Sequence, residues 1–202
     1  KYDEAAADGR SCTQIKPDFV KGWHRLCKAL LELGEYEEAY NLAKKGLNIP
    51  GVSDNADLIA LRDQLEPRAG KQRRASIRKM SPAEQAKEMG NDCFKKGMFE
   101  DAITFYSKAI NSLRGDADAT QALEISCYNN RAACNQQISH FRAVIEDASH
   151  VLSLDAKNIK ALMRRGLAFE GMEKYRSALQ DMRAVLAIDA RVELANKAQH
   201  RL

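Results

Sequence analysis

Proline is nearly absent from this chain of 202 residues, at four, and glycine is modest, at eleven. So little punctuation leaves long stretches free to be helical, and Ala, Leu, Lys, Glu and Arg, which lose least on entering a helix, fill them. An all-α protein is expected. No apolar run approaches the roughly 18 residues that cross a bilayer, and no secretory signal is visible. Charge of one sign is lacking too: 32 basic residues oppose 28 acidic ones, a net +4, too even for a nucleic-acid partner. The four histidines form no H-E-x-x-H, and no Cys-x-x-Cys or Cys–His spacing suits zinc. A glycine-rich phosphate loop and a nucleophile elbow are missing as well, so neither metal, cofactor nor catalysis is expected. Cys12, Cys27, Cys93, Cys127 and Cys134 fall inside helical patterns as small apolar residues, which implies a reducing compartment, the cytosol. The chain opens at Lys1 in mid-pattern, like a piece of something longer.

What the sequence does contain is repetition. "AEQAKEMGNDCFKKGMFEDAITFYSKAI", from Ala83, lies over "IKALMRRGLAFEGMEKYRSALQDMRAVL", from Ile159, so that Gly90 meets Gly166, Phe99 meets Tyr175 and Ala102 meets Ala178. A third copy, from Ile125, puts Ala132, Phe141 and Val144 in the same places. The second and third copies start 34 residues apart, the first and second 42, so "ADATQALE" reads as an insertion. Small residues at the eighth and twentieth positions let two helices approach closely, and an aromatic at the seventeenth opens the second helix. Each copy is therefore an antiparallel helix pair.

This pattern resembles the tetratricopeptide repeat, which implies an all-α, right-handed solenoid of antiparallel helix pairs with capping helices. Ser81-Pro82-Ala83-Glu84 offers an N-cap, a proline at the first helical position and a glutamate at the third. We expect a module of three repeats over 81–202, closed by "RVELANKAQHRL" as a capping helix. Tyr2 with Ala5, and Tyr36 with Ala39, mark the C-terminal part of another module over 1–66, with Ala56 to Leu65 as its capping helix. Residues 67–80 read as a basic, solvated linker, within which Arg73 to Ser76, "RRAS", has the form of a basic-directed phosphorylation site.

In such a solenoid the first helices of successive pairs line the concave side. Their exposed stripe carries Lys87 and Asn91, then Asn130, then Lys160 and Arg164. Three cations without an acid beside them suit carboxylates, whose charge-assisted bonds are about twice as strong as neutral ones. Asn amides can add donors. These five residues are similar to the dicarboxylate clamp of co-chaperone tetratricopeptide domains, which implies binding of the C-terminal Glu-Glu-Val-Asp of heat-shock proteins 70 and 90. By the same resemblance Phe94 and Ala133 would border a pocket for the peptide's apolar side chain. Lys21 and Arg25 repeat the positions of Lys160 and Arg164, so half of a second clamp is expected in the first module. The leading expectation is a non-enzymatic, cytoplasmic co-chaperone adaptor. A scaffold for internal acidic peptides or for a subunit-assembly partner, or the repeat part of an enzyme with its catalytic domain elsewhere, are the alternatives.

Overall fold

The computed structural model describes residues 1–114 and 120–201, which fall into two compact units, Lys1–Lys79 and Met80–Leu202. Every regular element among the described residues is a helix. The first unit contains α1 (Tyr2–Ile15), α2 (Val20–Glu32), α3 (Tyr36–Leu47) and α4 (Ala56–Arg78). The second contains α5 (Pro82–Lys95), α6 (Phe99–Leu113), α7 (Gln121–Gln137), α8 (Phe141–Leu154), α9 (Ile159–Gly171), α10 (Tyr175–Ile188) and α11 (Glu193–Arg201). Residues 117–119 of the expected insertion lie outside the described residues; Thr120 caps α7, and Gln121 to Glu124 form its first turn.

Helix boundaries follow local chemistry. Ser81 Oγ accepts from the Glu84 backbone N–H at 3.3 Å while Glu84 Oε2 accepts from that of Ser81 at 2.9 Å, a closed capping box at the start of α5. Within pairs the turn repeats: a residue with positive φ stands two places before the next helix, at Gly34 (79°), Gly97 (75°), Ser139 (59°) and Glu173 (60°). The following backbone N–H then reaches back to a carbonyl of the last turn, as in Glu35 to Leu30 at 2.9 Å and Lys174 to Phe169 at 2.8 Å. That is the Schellman closure, which satisfies carbonyls a helix end would leave open. Left-handed backbone costs a side-chain-bearing residue about 1–2 kcal/mol, and glycine gives back part of the gain through its freer unfolded chain. Glu173→Gly is therefore expected to stabilise the protein by about 0.5–1 kcal/mol. A lower melting temperature for this variant would contradict that reading of the turn.

Small residues do what the spacing requires. A Cβ on Gly90 would stand 2.7 Å from Cε1 of Tyr106, and one on Gly166 would stand 2.7 Å from the Cε methyl of Met182. The ring is rigid and buried, whereas a thioether methyl can swing away. Gly90→Ala should accordingly cost about 1–3 kcal/mol, the usual range for overpacking, and Gly166→Ala distinctly less. Equal losses in thermal melts of the two variants would contradict this. Paired helices pack side by side, each pair's second helix meets the next pair's first, and the first helices α5, α7 and α9 touch in sequence, so they line one face.

A pair of ionic contacts recurs in the same frame. Arg131 of α7 grips Asp147 of α8 with Nε to Oδ2 at 3.0 Å and Nη2 to Oδ1 at 2.6 Å, and its Nη1 donates to Ser107 of α6 at 2.9 Å. Arg165 of α9 does the same to Asp181 of α10 at 2.9 and 2.8 Å, and to Ser149 of α8 at 3.2 Å. Each guanidinium thereby ties its own pair together and to the preceding one.

In the first unit Leu26, Leu30, Leu58 and Leu65 form a closed core with Trp23, whose indole N–H donates to the Pro17 carbonyl at 2.7 Å. The expected capping helix from Ala56 does not stop at Leu65, nor is 67–80 a linker: α4 continues to Arg78 through Pro67. Pro67 and Asp63, whose carbonyl the proline leaves without a helical donor, both face solvent. Beyond the proline, Ala69 is buried, and Gln72 clasps the α2–α3 turn by accepting from the Glu37 N–H at 2.9 Å and donating to the Gly34 carbonyl at 3.0 Å. Tertiary contacts thus keep helical a stretch whose local composition suggested otherwise. All five cysteines are free, and burial pushes the thiols of Cys127 and Cys134 up to about 11 and that of Cys27 to about 12, which keeps them protonated and inert.

Candidate peptide-binding groove

On the face lined by α5, α7 and α9, five expected residues surround one cavity of about 230 Å³: Asn91 and Phe94 from α5, Asn130 and Ala133 from α7, and Arg164 from α9. The contacts of α7 with α5 and α9, with Ala132 packed against Ala168, bring side chains 39 and 34 residues apart into one site, and Gly90 admits Tyr106 of α6 beneath it. Its hub is Asn91. The Asn91 Oδ1 accepts from the Tyr106 hydroxyl at 2.8 Å and from Asn130 Nδ2 at 3.1 Å, and its own Nδ2 donates to Glu88 Oε1 at 2.9 Å. Two donors facing one oxygen fix the orientation of the Asn91 amide. Each of the two amides engages one N–H in these bonds, so each keeps a second N–H for a ligand. Burial raises the pKa of the Tyr106 hydroxyl, which stays a neutral donor.

Arg164 differs from its neighbour in sequence. Arg165 has its charge sustained by hydrogen bonds to Asp181, whereas burial pulls the pKa of Arg164 down, and its Nη1 meets only the carboxamide Asn129 Oδ1, at 3.3 Å. No carboxylate among the described residues pairs with it. A half-buried guanidinium without an anion is a costly arrangement that a carboxylate ligand would relieve.

Lys87 stands one turn before Asn91 on α5, and Lys160 one turn before Arg164 on α9; neither borders the cavity, and Lys160 is exposed. Three cations without an acid beside them were expected; among the described residues no carboxylate pairs with Arg164, whereas the pKa of Glu84, lowered by its hydrogen bonds with Ser81, is lowered further by nearby Lys87, and Glu88 bonds Asn91. Lys21 and Arg25, on α2, are exposed residues of the first unit; Arg25 borders a separate cavity of about 490 Å³ between α1 and α2, and Lys21 does not. Sequence reasoning missed Lys95 and Tyr106, which complete the lining. Lys95 lies four residues beyond Asn91, so following the stripe one more turn would have found it. Tyr106 is the bulk that the small Gly90 implies.

No family model matches the chain. It is 33% identical over 172 residues to sperm-associated antigen 1A of Danio rerio, covering 80% of this chain and 40% of that protein. It is 38% identical over 101 residues to the Hsp70/Hsp90 co-chaperone cns1 of Schizosaccharomyces pombe, covering 50% of this chain and 27% of that protein. Among solved structures, the second TPR domain of human RPAP3, in complex with the HSP70 peptide SGPTIEEVD, superposes with a TM-score of 0.52 at 28% identity, over 59% of this chain and 93% of that one. The first TPR of Spaghetti (RPAP3), bound to the HSP90 peptide SRMEEVD, does so at 0.53 and 25%, over 59% and 89%. The fold is the tetratricopeptide-repeat fold. The helix pairs described above are its repeats. The chain spans less than half the length of these two curated relatives, and none of its helices, among the described residues, is long and apolar enough to cross a membrane.

Proposed function

We propose that the groove on α5, α7 and α9 binds the free C-terminal end of an acidic peptide, that of heat-shock protein 70 or 90, and that the chain acts as a non-enzymatic co-chaperone adaptor in the cytoplasm. The observation that carries this is Arg164, a half-buried cation without a carboxylate, converging with two Asn amides that each hold an N–H in reserve. A terminal Asp supplies two carboxylates at once. In this reading Arg164, with Lys160 one turn away, takes one of them, while Asn91, Asn130 and Lys87 take the other. Phe94 and Ala133 offer the apolar wall for a side chain such as the Val of Glu-Glu-Val-Asp. The related domains solved with peptides ending in Glu-Glu-Val-Asp support the same choice of ligand. Lys21 and Arg25 would contribute to a second such site in the first unit.

The place of binding is open to a direct test. In a heteronuclear NMR titration of the chain with a peptide ending in Glu-Glu-Val-Asp, the side-chain amides of Asn91 and Asn130 and the Arg164 Nε–H should shift together and saturate together. Saturable binding that leaves all three resonances in place would remove the groove from the account.

A further inference from the structure

The outer half of α4 is docked differently from its inner half. Its buried residues, Leu58, Leu61, Leu65 and Ala69, end at Ala69. Beyond that point polar contacts tie it to the α2–α3 turn and the start of α3, among them the two bonds of Gln72, to the Glu37 N–H and the Gly34 carbonyl, and an Arg73–Glu37 ion pair at 3.9 Å. One turn on from Gln72 stands Ser76, exposed, in the last turn of the helix. Ser76 and Gln72 border a shallow cavity whose opposite wall includes Glu35, Glu37 and Glu38.

The residues around Ser76 read Arg73-Arg74-Ala75-Ser76-Ile77. Two guanidiniums three and two places before a serine, with an apolar residue after it, offer charge-assisted bonds to a kinase cleft lined by carboxylates. Such a cleft takes its substrate extended, so the helix end must open. It can do so cheaply here, because the last carbonyls of a helix lack intrahelical donors and no buried side chain anchors α4 past Ala69.

We infer that Ser76 is a phosphorylation site for a serine kinase that selects basic residues before its target, and that the phosphate undocks the outer half of α4 from α3. In the transfer, Ser76 Oγ forms a bond to the γ-phosphorus of ATP as the β–γ bridging bond breaks; ADP leaves, and the hydroxyl proton passes to the kinase's base. The new group carries a charge of about −1.5 to −2 at neutral pH. It sits at the negative end of the α4 dipole and lies across the shallow cavity from Glu35, with Glu37 and Glu38 beside it, of which Glu38 is paired with Arg10 at 2.7 Å. It also competes with Glu37 for Arg73, three residues back on the same helix. All three effects loosen the same contact.

The test uses the whole chain, the catalytic subunit of cAMP-dependent protein kinase and Mg-ATP, read by intact mass, peptide mapping and hydrogen exchange. One phosphate per chain is expected, on Ser76 and absent from Ser76→Ala, with amides of 70–78 exchanging roughly tenfold faster afterwards. The variant Glu35→Gln, which leaves the Arg10–Glu38 pair in place, should take up phosphate equally well yet show a smaller acceleration, which separates repulsion from a mere loss of helix; an undiminished acceleration overturns the repulsion. No incorporation, or incorporation that survives Ser76→Ala undiminished, overturns the site. Exchange unchanged by a phosphate on Ser76 overturns the undocking.

Discussion

Asp147→Ala is expected to lower the unfolding free energy by about 3–5 kcal/mol, the usual consequence of removing one partner from a buried ion pair. The Asp147 side chain is 5% exposed and receives both arms of the Arg131 fork, so truncation leaves a guanidinium between α7 and α8 with no carboxylate, held by Ser107 and by the face of the Tyr128 ring 5.3 Å away. The first repeat suggests the remedy. Met89 and Phe105 stand there at the places that Arg131 and Asp147 hold in the second, apolar residues where the other has charges, Met89 being 48% exposed. Arg131→Met with Asp147→Phe should therefore recover much of the loss, since a buried ion pair can often be replaced by apolar residues at little cost. Urea unfolding followed by circular dichroism compares the variants. A double variant no more stable than Asp147→Ala would mean that the fork does more than fill and neutralise its site.

The second large effect is on binding. Arg164→Ala should weaken a peptide ending in Glu-Glu-Val-Asp by about 1.5–3 kcal/mol, the worth of a hydrogen bond to a charged group, or roughly ten- to more than a hundredfold. Lys160→Ala should do less, because Lys160 is exposed and solvent and salt screen its charge. The fold should tolerate the change at 164, whose side chain makes one long bond, to Asn129. Calorimetric titration of each variant, with helicity checked beforehand, gives the comparison; an unchanged affinity in folded Arg164→Ala would show that the guanidinium has no ligand.

How much of this could be read from the residues depended on whether contacts repeat. The small-and-aromatic spacing located the pairs because each repeat solves the same packing problem, as Gly90 against Tyr106 and Gly166 against Met182 illustrate. The stripe of Asn91, Asn130 and Arg164 was legible because helical periodicity places it on one face. The Arg131–Asp147 and Arg165–Asp181 forks were equally periodic, each spaced by 16 residues and 34 apart, yet they were overlooked, since charged residues look like surface until their partners are seen. The outer half of α4 was not legible at all. Pro67 and Gly70 argue locally for a break, and what keeps the helix is Gln72 reaching residues 35 and 38 places away in the chain. Ser139 and Glu173 were hidden for the opposite reason: the turn demands left-handed backbone, but nothing in a serine or glutamate announces it.

In the proposed function the groove recognises a chain end rather than acidic sequence in general. Two peptides that share the sequence ending Glu-Glu-Val-Asp, one with a free C-terminus and one amidated, isolate that claim in a single calorimetric comparison. Amidation removes the α-carboxylate and leaves every side chain in place. Amidation should cost at least tenfold in affinity, the worth of one charged hydrogen bond, and binding of the free peptide should weaken as salt rises. Equal affinity for both peptides would contradict it and point instead to a scaffold for internal acidic segments.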